Sequence, residues 1–304
     1  FIYEQLNIMK RRTFIKNTTL AAAASVYITK DLFSQEKSVI YGHNNMKYSM
    51  DTKWCKADPL KNPVNDCHEM VQDSKGRIIL LTNETKNNVL IYDKKGKLLK
   101  WWGTSYPGAH GLTLFNENGT EVLFICDNNR HQVIKTTLDG RELMVIDYPK
   151  ETGKYTKAEE FVPTETAIAP NGDIYVADGY GKDFIIWYDA KGNYKGFFGG
   201  RGGNDANLLN AHGIAVDARD PKNPHLIVTS RQENAFKKYD FTGNYLGTIA
   251  LPGAWVCRPV IKGDYLYAAV LQTNDKQGQG SGFVTILDKT NKVVSNPGGI
   301  QPSY

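Results

Sequence analysis

The chain has 304 residues, 41% hydrophobic and 23% charged, with a formal net charge of +5. That length can bury a substantial core and the composition is ordinary for a globular protein, which excludes a fibrous or disordered chain. The positive balance carries no argument for nucleic acid: Lys10, Arg11, Arg12 and Lys16 gather near the N-terminus, other lysines recur singly in turns such as Asp93-Lys94-Lys95-Gly96-Lys97, and neither a basic stripe interleaved with aromatics nor a helix-turn-helix pattern is present.

Residues 1 to 35 read as an export signal and linker. Lys10-Arg11-Arg12-Thr13-Phe14-Ile15-Lys16 resembles a twin-arginine signal, and the alanine-rich run Thr18 to Ile28 behind it is too short to span a bilayer. Met9 then reads as the initiator, and the mature domain, residues 36 to 304, as a periplasmic or secreted monomer without a membrane span. A basic amphipathic helix is the competing reading, disfavoured by the alanine run. Cys55, Cys67, Cys126 and Cys257 form no CxxC or disulfide-dense framework; Cys55 and Cys67 could close a short loop, while Cys126, inside Val122-Leu123-Phe124-Ile125-Cys126, reads as a buried free thiol.

From about residue 64 the chain repeats itself, and a period of roughly 40 to 50 residues signals propellers or solenoids. The first unit runs from His68 through Gly76, Asn83, Asp93 and Gly96, the second from His110 through Gly119, Asp127, Val133 and Gly140, and the third from Thr164 through Gly172, Asp178, Ile185 and Gly192. The fourth runs from His212 through Ser230, Phe236 and Gly243, and a divergent fifth from Arg258 through Gly263, Tyr267 and Phe283 to Asp288. Each reads as four short strands: Ile174-Tyr175-Val176-Ala177 and Ile185-Ile186-Trp187-Tyr188 are β-branched and aromatic, and Asp189-Ala190-Lys191-Gly192-Asn193 supplies a tight turn. A lone four-stranded sheet exposes two edges and cannot bury both faces, so radial packing is the solution. The fold expected is an all-β propeller of six four-stranded blades, with Val39 to Trp54 and Val293 to Tyr304 supplying a sixth or closing the ring; five blades is the alternative. The polar insertion Leu271 to Gly280 suits a lid or recognition loop.

Three units open on a histidine phrase: Cys67-His68-Glu69-Met70, Ala109-His110-Gly111-Leu112 and Ala211-His212-Gly213-Ile214. A circular array would bring all three imidazoles to one point, and three histidines with an open fourth position match a catalytic zinc pattern. Ligands at about 2.0 to 2.1 Å from one zinc would place the ring nitrogens within roughly 3 to 5 Å of one another. The bland reading is that each histidine holds a loop carbonyl. His131, His225 and His43 fall at other phases and read as turn or surface residues, and Asp127 and Asp178 as repeated turn formers.

These phrases, with His131-Gln132-Val133, Pro163-Thr164, Ala177-Asp178-Gly179-Tyr180 and Ser230-Arg231-Gln232-Glu233-Asn234, resemble NHL-repeat propellers, and among them the lyase domain of peptidylglycine α-amidating enzymes, over roughly residues 64 to 290. The resemblance implies that His110 and His212 bind zinc, that Tyr180 is a catalytic base or polariser, and that Arg231 holds an anion. The family's third ligand sits in a His-Asp pair in a C-terminal blade; the matching phrase here is His68-Glu69 in the first, a rotation of blade order. The family's structural calcium makes Glu69 and the Leu112 carbonyl candidates for a second ion. The family's paired cysteines, its Met-Pro before the third histidine and its N-terminal arginine are absent.

The implied activity is a zinc-dependent lyase that eliminates from a carbinol or α-hydroxy-acid substrate, small molecule or peptide, with hydrolysis as the near neighbour. The alternative is a non-catalytic propeller whose channel holds a peptide, sugar or partner protein. Under the bland reading Tyr180 caps the channel mouth and Arg231 pairs with Asp178 or Glu233.

Overall fold

The computed structural model describes residues 39–272, 282–300 and 302. The expected export signal and most of the Leu271 to Gly280 insertion lie outside the described residues. Among them there are 22 strands, two single-turn 3-10 segments and no α-helix, and no helix long and apolar enough to cross a membrane.

After a hairpin of β1 (Ile40–His43) and β2 (Met46–Ser49), the strands fall into five antiparallel sheets of four. The first blade is β3 (Glu69–Gln72), β4 (Ile78–Leu81), β5 (Val89–Tyr92) and β6 (Leu98–Trp102). The second is β7 (Ala109–Glu117), β8 (Thr120–Asp127), β9 (Gln132–Thr137) and β10 (Glu142–Ile146). The third is β11 (Glu165–Ile168), β12 (Ile174–Ala177), β13 (Phe184–Tyr188) and β14 (Tyr194–Gly199). The fourth is β15 (Ala211–Asp217), β16 (His225–Ser230), β17 (Ala235–Tyr239) and β18 (Tyr245–Ala250), and the fifth β19 (Ala254–Lys262), β20 (Tyr265–Gln272), β21 (Phe283–Leu287) and β22 (Val293–Ser295).

Each blade is a meander of β-branched and aromatic strands joined by turns that the sequence marks. Asp93 Oδ1 accepts the Lys95 and Lys97 N–H groups at 2.8 and 2.9 Å, and Asp189 and Asp240 make the same turn before the last strand of their blades. Asp127 likewise accepts N–H groups of Gly108, Asn129 and Arg130, a structural role as expected. Alternating side chains then bury both faces between blades. Ile79, Leu81, Val89 and Ile91 pack on Leu112, Leu123 and Ile125; Val122, Phe124 and Val133 on Ile174, Val176 and Ile186; Tyr175 and Ile185 on Ile214, Leu226 and Val228; Ile227 and Phe236 on Val256, Leu266 and Val270. Cys126 is a buried free thiol within one of these layers.

The ring has five four-stranded blades, not six. The tail cannot supply another because β22 is the fifth blade's own outer strand. The N-terminal segment forms only the two-stranded hairpin, tied to that strand by the His43 N–H donating to Ser295 Oγ at 2.8 Å. Residues 50–67, with Pro59, Pro63 and scattered polar side chains, carry no alternating apolar run and form no strand. They run beside the first blade instead, where Trp54 Nε1–H donates to the Lys94 carbonyl at 3.0 Å and its ring lies 5.5 Å from Tyr92. Four apolar layers therefore join five blades, and among the described residues the seam between fifth and first has none.

Candidate metal centre

The innermost strands of the second and fourth blades carry the same irregularity. Ala109 pairs with Asp127 but Leu112 with Ile125, and Ala211 with Ser230 but Ile214 with Val228, so each inner strand holds one extra residue. Such a bulge re-aims the side chains within it, here His110-Gly111 and His212-Gly213. A Cβ at Gly111 would stand 2.4 Å from the Thr164 carbonyl oxygen, and one at Gly213 2.7 Å from the Arg258 Cα. The glycine after each histidine is thus what lets neighbouring inner strands close around the axis.

His68, just before β3, joins them. One ligand atom from each of His68, His110 and His212 lies within 4.8 Å of the others, inside the range expected. The ring centroids are 3.6 Å apart for His68 and His110, 5.0 Å for His110 and His212, and 6.0 Å for His68 and His212. His110 Nδ1 is 2.8 Å from the Thr164 carbonyl oxygen; only an N–H can satisfy that acceptor, so the lone pair falls on Nε2. His212 keeps one buried ring nitrogen, Nδ1, without a hydrogen-bond partner.

Burial and neighbouring charge favour the neutral form of all three rings. Burial pushes His110 down to about 3, helped by the charge His68 would place beside it and opposed by the Thr164 hydrogen bond. His212 falls well below the ordinary range through burial, then Arg231 and the other two rings. His68, whose residue as a whole is exposed, is lowered by local desolvation and Arg231 against the opposing Asp66. A neutral imidazole is the form that ligates a metal, and this donor set, borderline-soft nitrogen throughout, fits zinc chemistry.

Tyr180 and Arg231 arrive from two loops. Tyr180 Oη is 3.0 Å from His212 Nε2 and 3.3 Å from His110 Nε2. Arg231 donates from Nη1 to that oxygen at 3.4 Å and from Nη2 to Cys257 Sγ at 3.3 Å. Neither pairing suggested for Arg231 forms: among the described residues it makes no ion pair. Asp178 accepts from Tyr155 Oη and the N–H groups of Val162 and Lys182, and Glu233 pairs with Lys237. A cavity of about 390 Å³, lined chiefly by Trp54, Val64, Met70, Leu80 and Tyr92, shares His68 with the cluster.

The remaining histidines stay apart. His131 Nδ1 donates to the Phe161 carbonyl, His225 lies beside Asp217, and His43 Nδ1 accepts from the Asn296 N–H. Glu69 and the Leu112 carbonyl do converge, but on a side chain the sequence reading left unassigned: Arg258 Nη1 donates to the Leu112 oxygen at 2.8 Å and to the Glu69 carboxylate. The calcium expected between them does not fit, because a guanidinium already holds both acceptors. Glu165 adds a second carboxylate 3.4 Å from Arg258 Nε. Burial and Glu165 push the Glu69 carboxyl up against the opposing pull of Arg258.

Radial four-stranded sheets about an axial histidine cluster place the chain in the class of β-propellers with a candidate metal site. Two curated proteins that it resembles in sequence are lyases by name. It is 32% identical over 115 residues to the probable peptidyl-alpha-hydroxyglycine alpha-amidating lyase pgal-1 of Caenorhabditis elegans, covering 38% of this chain and 31% of that one. It is also 32% identical over 108 residues to peptidyl-alpha-hydroxyglycine alpha-amidating lyase 1 of Drosophila melanogaster, covering 34% and 19%. The chain thus matches less than a third of the length of these curated relatives. The virginiamycin B lyase of Staphylococcus aureus superposes with a TM-score of 0.51 at 15% identity, over 77% of this chain and 70% of that one, which shows the shared fold alone. No family model matches the chain.

Proposed function

We propose that this chain is a metal-dependent lyase acting on a carbinol of the peptidyl-α-hydroxyglycine type, with zinc held by His68, His110 and His212. The observation that carries the reading is convergence: three imidazoles whose neutral form is favoured, the Tyr180 phenol and a guanidinium without an anionic partner among the described residues meet at the axis. Zinc so held would supply Lewis acidity toward an oxygen of the substrate.

The chain's own residues account for the rest. Arg231, planar and permanently charged, binds the substrate carboxylate with two parallel N–H donors. Tyr180 Oη, already linked to two ring nitrogens and to Arg231, is the group in reach to take the carbinol proton. As that O–H bond breaks, its proton passes to the Tyr180 oxygen while the phenol's own proton is relayed to the departing nitrogen, a carbonyl forms at the carbon, and the carbon–nitrogen bond breaks. The products are an amide and an aldehyde acid. The apolar cavity beside His68 has room for part of the remaining substrate.

The test is metal analysis and turnover of protein made in zinc-replete medium. The expected result is ~1 equivalent of zinc, lost together with amide release in the His110→Ala/His212→Ala double variant. A metal-free wild type would favour the non-catalytic propeller instead. We also propose export, supported by Lys10 to Lys16 and the apolar run behind them; Arg11→Lys/Arg12→Lys should hold a fused reporter inside the cell, and unchanged export would reject the signal.

A further inference from the structure

A second layer lies behind the histidines. The pairs Met70 with Leu80, Leu112 with Ile125, Thr166 with Val176, Ile214 with Val228 and Pro259 with Ala268 align the five inner strands. β19 carries the same one-residue bulge as β7 and β15, with Val256 opposite Val270 before Pro259 opposite Ala268. One step back from these pairs stand Glu69, Gly111, Glu165, Gly213 and Arg258; two steps back stand His68, His110, Thr164, His212 and Cys257. The two glycines leave the centre of the inner layer open, and one arginine meets two carboxylates there.

The contacts of that arginine span four blades. From the fifth, Arg258 Nη1 donates to the Leu112 carbonyl of the second at 2.8 Å and to the Glu69 carboxylate of the first. Its Nε faces Glu165 Oε2 of the third at 3.4 Å. Glu165 is itself fixed, its Oε1 accepting from Thr113 Oγ1 at 2.9 Å and the Thr166 N–H at 3.0 Å. Among the described residues no apolar cluster spans the seam between fifth and first blades, and the Glu69–Arg258 pair crosses it.

We infer that Arg258 is the resident cation of the axis, standing where the family resemblance places calcium, so that ring closure needs no divalent ion at that point. The inference is independent of the proposed reaction, which uses His68, His110, His212, Tyr180 and Arg231 and not Glu69, Glu165 or Arg258. Removing one partner of a buried pair leaves the other uncompensated, whereas a replacement cation restores the balance.

Thermal unfolding of the purified full chain, with and without millimolar CaCl₂, tests it. Wild-type Tm should not move with calcium. Arg258→Ala should lower Tm by on the order of 10 °C and regain part of that loss on calcium addition, with the regain abolished in Arg258→Ala/Glu69→Gln. Should Arg258→Ala not fold, Arg258→Lys decides: a folded protein of intermediate Tm supports a structural cation, and one as damaged as alanine overturns it. A wild-type Tm that rises with calcium and loses that rise in Glu69→Gln would overturn the inference, as would an Arg258→Ala protein as stable as wild type without calcium.

Discussion

Replacing Arg231 with methionine isolates its proposed role, because the guanidinium gives up little inside the protein. Its present acceptors are the Tyr180 hydroxyl at 3.4 Å and the Cys257 sulfur at 3.3 Å, one long and one intrinsically weak. A substrate carboxylate would instead take two charge-assisted N–H donors, each contributing about 1.5 to 3 kcal/mol. With Arg231 partly exposed, the lower end applies, roughly 3 kcal/mol, or about a hundredfold in kcat/KM. The assay compares a peptidyl-α-hydroxyglycine with its methyl ester by rate of amide release. Wild type should prefer the acid by about a hundredfold, and Arg231→Met should lose that preference while turning over the ester nearly as wild type does. An equal loss on acid and ester would refute carboxylate recognition and leave Arg231 as a scaffold for Tyr180.

The metal-free protein should weaken on acidification. His110 is depressed from 6.5 to about 3, so below the unfolded value the unfolded chain takes up a proton that the folded chain refuses. The contribution is present above 6.5 and disappears as pH falls toward 3. At about 1.4 kcal/mol per pH unit, His110 alone removes roughly 2 to 3 kcal/mol between pH 7 and 4.5; urea titrations of chelator-treated wild type and His110→Gln should diverge over that window, and parallel curves would contradict the depressed value. Gly213→Ala should cost roughly 2 to 4 kcal/mol, since its Cβ would meet the Arg258 backbone at 2.7 Å, whereas alanine at Gly119, which has open space around it but a left-handed φ of 89°, should cost only about 1; calorimetry of the two variants should rank them in that order.

Much of the blade architecture was legible because it is local. Ile78 to Leu81, Val89 to Tyr92 and Ile185 to Tyr188 declare strands by side-chain type, and Asp93, Asp189 and Asp240 declare the turns by a hydrogen bond made within five residues. The histidine cluster was legible because repetition converts equal phase into spatial proximity. Blade number was not, since it depends on what covers the outer faces of the first and last blades, and an N-terminal hairpin pairing with its own neighbour looks like half a blade in sequence. Arg258 was also hidden: it followed a cysteine where three of the other units have histidine, and only the shared bulge of β7, β15 and β19 puts it in register with Gly111 and Gly213. The Leu112 carbonyl and Glu69 were found as a pair, but sequence could not say which cation they face.

The inner layer has a parity problem. Large charged side chains sit in the first, third and fifth blades and glycines in the second and fourth, a rhythm that a ring with an odd number of members cannot complete. Two bulky residues must become neighbours once per circuit, and they do so at the junction of chain start and chain end, where Glu69 and Arg258 have opposite sign. A duplication that inserted one more glycine-bearing blade there would restore the rhythm and remove the need for opposite charges at that junction.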